Sequence, residues 1–128
     1  MAFLLPQIRI NGYCDPILNN SPTQAGGTGI YISNNLKFIE RPDIKFNYDN
    51  CEACFIEIMC EKESDNQIFG ALYRHPFSNV RPFTSYLGEF LETFTERNTK
   101  LTMLGDINID LKTKRPPSIS LLRSSVMT

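Results

Sequence analysis

The chain has 128 residues, a formal net charge of -1 and 41% hydrophobic residues. That apolar share excludes a disordered polyelectrolyte, and the length bounds the chain to one small domain or a part of one. The near-neutral balance excludes wholesale coating of nucleic acid, which needs a basic excess, and leaves room for a local cleft with a few aimed groups.

Ala2 to Leu5 is apolar but is halted by Pro6, short of the roughly seven residues of a signal-peptide core and with no basic residue before it. No later apolar run approaches the ~18 residues of a membrane span. The expectation is an intracellular chain, nuclear or cytoplasmic, that is neither secreted nor membrane-bound. Gln7 to Tyr13 alternates around Ile8 and Ile10 and turns at Asn11-Gly12, which predicts a short strand or an extended entry. Asp15 to Ala25, with Pro16 and Pro22, reads as a surface loop. Ile30 and Ile32 alternate with Tyr31 as in a strand, and Gly26, Gly27 and Gly29 before them match no phosphate loop, because no Gly-Lys-Ser/Thr follows. A turn at Ser33-Asn34-Asn35 and the alternation of Leu36, Phe38 and Glu40 predict a hairpin, ended by Arg41-Pro42-Asp43. Ile44, Phe46 and Tyr48 suggest a further extended piece before an Asp49-Asn50 turn.

Cys54 to Cys60 and Gln67 to Arg74 read as two strands joined by the charged loop EKESDN, the second apolar enough for the middle of a sheet. Cys51 and Cys54 have the spacing of a zinc knuckle, but no second pair exists and the chain has one histidine, His75. Cys54 and Cys60 share a strand face with Ile56 and Ile58, where a buried thiol acts as a small hydrophobe. Ser78 or Asn79 can cap a helix running from Pro82 to about Arg97, with Phe83, Tyr86, Leu87, Phe90, Leu91 and Phe94 on one face. Arg97 to Lys100 returns the chain to a strand over 100–106, and a strand–helix–strand unit makes the last two strands parallel. Lys112 to Thr128 is basic, contains Pro116-Pro117 and reads as a flexible tail, so the organisation is a domain over 1–111 and a tail over 112–128.

The chemistry concentrates in KLTMLGDINIDL, from Lys100. Gly105 is expected to break the strand and release Asp106 and Asn108 onto one face, with Ile107 and Ile109 turned to the core. A carboxylate can take a proton or hold a metal-bound water, and a carboxamide can donate to a phosphate oxygen, although Gly-Asp-x-Asn is also ordinary turn chemistry. The segment resembles the Gly-Asp-Phe-Asn motif of the endonuclease/exonuclease/phosphatase family, with Ile107 in place of Phe. GGTGIYISNNLKF from Gly26, CEACFIEI from Cys51 and FGALYRHP from Phe69 resemble, in order, the endonuclease domain that LINE-type (non-LTR) retrotransposons carry with their reverse transcriptase. The resemblance runs from about Gln7 to Leu111.

The resemblance implies a two-sheet α/β sandwich, of which these residues supply an incomplete part: about one mixed β-sheet and one crossover helix. It implies hydrolysis of a DNA phosphodiester with Mg²⁺, in which Asp106 activates water, Asn108 orients the phosphate and Tyr73 lends its hydroxyl at the rim. The family's metal-binding Glu, which would be the main ligand, has no match in the 128 residues, so Asp106 is at most the one metal ligand here. The Ser-Asp-His close is also unmatched, and His75 stands where the subfamily carries Pro. An endonuclease fragment inactive as an isolated chain is therefore expected, the alternative being a non-catalytic interaction module derived from that domain. A half-sandwich leaves an apolar sheet face uncovered. At about 25 cal/mol per Å², several hundred Å² forgo on the order of 10 kcal/mol, and marginal folding, self-association or a need for a partner is the expected response.

Overall fold

The computed structural model describes residues 8–19, 27–76 and 79–109. It is a mixed α/β structure. Strands β3 (Lys37–Glu40), β4 (Cys51–Met59), β5 (Gln67–Arg74) and β6 (Leu101–Asp106) form one sheet in the order β3-β4-β5-β6. The β3–β4 and β4–β5 pairs are antiparallel, whereas β5 and β6 are parallel and joined by helix α1 (Val80–Glu96). A separate two-stranded ribbon pairs β1 (Ile17–Asn19) with β2 (Thr28–Ile30).

The helix and β5 form where their periodicity places them, while β4 begins at Cys51, three residues before the expected start, and ends at Met59. In β5 the residues alternate strictly, with Ile68, Leu72 and Arg74 buried on one face. That face meets α1, whose Phe83, Leu87 and Leu91 are buried and whose Phe90 and Phe94 pack beside them. Phe55 of β4 and Met103 of β6 complete the layer, and each fully buried side chain of this kind contributes about 1.5–3 kcal/mol. Asn79 occupies the helix N-cap position, but its side chain makes no capping hydrogen bond; Ser78 lies outside the described residues.

Several local expectations are corrected. Residues 8–10 are not a strand: Ile8 and Ile10 are exposed, and only Tyr13 makes a bridge, to Ser33. The stretch after Asp15 holds β1 rather than loop alone, since Pro16 immediately precedes the ladder and forfeits no bond within it. The segments around Ser33 do not make a hairpin. The turn exists, closed by the Leu36 amide on the Ser33 carbonyl, but β2 pairs with β1 and β3 with β4. Residues 44–48 form no strand; Phe46 is nevertheless buried, with Tyr86 and Phe90 edge-on at 4.9 and 5.0 Å. Residues 110–128, including the tail, lie outside the described residues.

The sheet's two faces are covered unequally. Away from α1, the ribbon rests on the middle of the sheet, where Asn19 Nδ2 donates to the Ala53 carbonyl at 2.9 Å and Thr28 Oγ1 approaches Cys54 Sγ at 3.6 Å. Beside the ribbon lies a groove of about 640 Å³, lined by apolar side chains that include Tyr13, Leu36, Ile58, Phe69 and Leu104. Leu104 is 62% exposed there.

Gly105 does not end β6. The strand passes through it to Asp106 because β6 there runs hard against β5: a Cβ on Gly105 would stand 1.7 Å from the Leu72 carbonyl oxygen, and its φ of +154° is one that side chains rarely adopt. Gly105→Ala is expected to destabilise the chain by about 3 kcal/mol or more. Gly88→Ala, on the helix with nothing within 4 Å of a new Cβ, should instead stabilise by about 0.5–1 kcal/mol. Urea midpoints of the two variants check both signs.

Candidate functional site

The carboxyl ends of β5 and β6 meet at one rim of the sheet. In the parallel register Tyr73 pairs with Asp106, and in the antiparallel register on the other side Tyr73 pairs with Glu52. Paired residues in neighbouring strands share a face, so Glu52, Tyr73 and Asp106 form a row across three strands on the face turned away from α1. Tyr73 is half-buried and Asp106 exposed.

Asn108 reaches this rim by a different route from the one its spacing suggests. Its φ is +51°, so the backbone has left the extended conformation and alternation no longer decides which way the side chain points. Asp106 Oδ1 accepts the Asn108 amide N–H at 2.9 Å, an Asx turn, and Asn108 Nδ2 donates to the Arg74 carbonyl. One amide hydrogen of Asn108 is thereby engaged in structure, which leaves its second N–H and its oxygen for other work. Ile107 and Ile109 pack against the core as expected.

Arg74 and Glu52 are the residues that chain-order reading passes over. Arg74 is 1% exposed, its Nη1 donates to the carbonyls of Ile107 at 3.1 Å and Asn108 at 3.4 Å, and its guanidinium lies 5.3 Å from the Phe83 ring centroid. It fastens the exit of β6 to the end of β5. Glu52 is 7% exposed; Oε1 lies 3.4 Å from His75 Nε2, and Oε2 has no hydrogen-bond partner among the described residues. A buried polar atom left unmatched costs about 1–3 kcal/mol, more when charged, so the fold does not gain from this carboxylate. Strand parity was the available signal. Arg74 falls in step with Ile68 and Leu72, and Glu52 with Cys54 and Ile56, which places both on buried faces.

The rim does not by itself supply a Mg²⁺ site. That ion takes near-octahedral oxygen ligands, and among the described residues no three His, Cys, Asp or Glu side chains gather as a metal cluster would. Asp106 is the exposed carboxylate of the row, and one of its oxygens already accepts the Asn108 amide. Glu57 is engaged elsewhere, by Arg41 and by Asn66 Nδ2 at 3.0 Å. Among the described residues no helix is long and apolar enough to cross a membrane.

Cys51 and Cys54 are three apart on a strand, and so point to opposite faces, which separates them as ligands. Burial pushes the Cys51 thiol up to about 11 and raises that of Cys54. Relative to an ordinary thiol near 9, Cys51 at about pH 8 holds roughly a hundredfold less thiolate. Cys60 lies just past the end of β4 and is exposed rather than on its buried face. Iodoacetamide at that pH should therefore modify it well before Cys51 or Cys54, as peptide mass spectrometry of timed samples would show.

Compared with family models, curated protein sequences and solved structures, the chain matches none.

Proposed function

We propose that this chain is part of a Mg²⁺-dependent DNA endonuclease of the endonuclease/exonuclease/phosphatase fold, of the kind LINE-type retrotransposons use with their reverse transcriptase, and that it acts inside the cell on a phosphodiester. The observation that supports this reading best is the parallel register setting Tyr73 beside Asp106, with Asn108 two residues on. The carboxyl ends of parallel strands are where α/β sheets collect their ligands. In this enzyme Asp106 takes the proton of the attacking water, Asn108 and the Tyr73 hydroxyl orient the phosphate, and Mg²⁺ would supply charge neutralisation with further ligands from beyond this donor set.

The isolated chain does not cleave in this reading. Loss of a single oxyanion-type donor costs about 10²–10³ in rate, and here both the metal-binding Glu and the Ser-Asp-His close have no match. Nicking of supercoiled plasmid tests the proposal. The chain alone should show only background, and the chain joined to the flanking segments of a LINE-type endonuclease should nick in Mg²⁺ and lose at least about 10³-fold on Asp106→Ala. A joined, folded enzyme indifferent to Asp106→Ala would remove the reading.

The second reading, a non-catalytic interaction module that associates with itself through the uncovered sheet face, is favoured by the apolar groove and by Leu104 at its edge. On that reading Leu104→Lys shifts the chain from dimer to monomer in sedimentation velocity. A wild-type chain that stays monomeric at about 100 μM rules it out.

A further inference from the structure

One ionisable pair at the rim has no part in the endonuclease reading. His75 follows directly after β5, its amide donating to the Asn50 carbonyl at 2.8 Å, and its ring stands edge-on to Tyr73 with centroids 4.8 Å apart. Behind it lies Glu52, with a side chain 8% exposed against 26% for His75. A buried carboxylate behind a half-exposed imidazole is the arrangement by which an acid fixes the orientation of a histidine and decides which ring nitrogen faces outward. The separation of 3.4 Å is longer than a settled hydrogen bond.

We propose that His75 is a phosphate-binding residue of this rim and Glu52 its positioning residue. With Nε2 turned to Glu52, the protonated ring presents Nδ1–H beside Tyr73 to one non-bridging oxygen of a phosphodiester. The titratable groups around it are Glu52 from β4, Tyr73 from β5 and, one strand further, Asp106 from β6. Asp106 repels an anion, so binding requires the imidazole in its charged form and fades as pH rises. The proposal shares with the endonuclease reading only the class of ligand and needs neither metal nor cleavage.

The chain has one histidine, so its ring resonances are unambiguous. The full chain, with labelled imidazole nitrogens, is titrated with dimethyl phosphate, a diester that stays singly charged across the range. The His75 signals should shift saturably at about pH 5.5 and respond at least about tenfold more weakly at about pH 8. Glu52→Gln with an otherwise unchanged amide spectrum should weaken the response at the lower pH about tenfold, as for loss of one charge-assisted hydrogen bond. No saturable shift at the lower pH, an equal response at both, or an unaltered response in a folded Glu52→Gln would each overturn the proposal. Should that variant unfold, the pH dependence of the wild-type response decides alone. Because the readout involves no cleavage, its failure leaves the role of Asp106 standing, and a silent plasmid assay leaves His75 untouched.

Discussion

The carboxyl ends of β5 and β6 are held together by a buried guanidinium and a missing side chain. Arg74 is almost wholly enclosed, and a charge so placed survives only if its donors meet acceptors. The carbonyls of Ile107 and Asn108 accept from Nη1, Asn108 returns a bond to the Arg74 carbonyl, and the Phe83 ring lies beside the cation. Next to this knot, Gly105 lets β6 press against Leu72 more closely than any other residue allows. With both in place the chain after β6 has one path, and Asp106 stands beside Tyr73 as a consequence.

The same sheet separates its apolar core from its polar row by face. Toward α1 the residues are apolar and packed together: Phe55, Leu72, Phe83, Leu87 and Met103 form the buried core. The opposite face is half-covered by the β1–β2 ribbon and carries Glu52, Tyr73 and Asp106 along its rim. Because side chains alternate along a strand, each of β4, β5 and β6 can serve both purposes, one residue apart. A one-residue slip of β6 would exchange Met103 for Leu104 in the core and turn Asp106 toward α1.

How much could be read in advance follows from how strong each local pattern is. The 80–96 helix has six apolar residues at helical spacing, and β5 alternates over its full length, so these appear where periodicity puts them. β1 is three residues long and exists because β2 lies beside it, a condition invisible within its own sequence. The turn at Ser33 was legible, but which strand receives the returning chain is a choice among partners that local sequence does not record. Gly105 looked like a break because glycine commonly ends strands; here the need is for contact distance. Of the candidate site, Tyr73 and Asp106 followed from the parallel connection. The path of Asn108 did not, since a positive φ at a non-glycine residue depends on the Asx turn and on Arg74 together.

Turn chemistry and catalysis are usually weighed as rival explanations of a Gly-Asp-x-Asn sequence, yet in the proposed reaction the first would prepare the second. Asp106 spends one oxygen on the Asn108 amide and keeps the other on an exposed side chain. Asn108 spends one N–H on Arg74 and keeps the second. Each side chain is thus pinned at one atom and left with another unused, the condition under which a group is held in place before a substrate arrives rather than ordered by it. Residues tethered in this way lose little further freedom on binding, so a phosphodiester meeting the rim would find its partners already oriented, and what limits the isolated chain in the proposed reaction is the number of such groups rather than their placement.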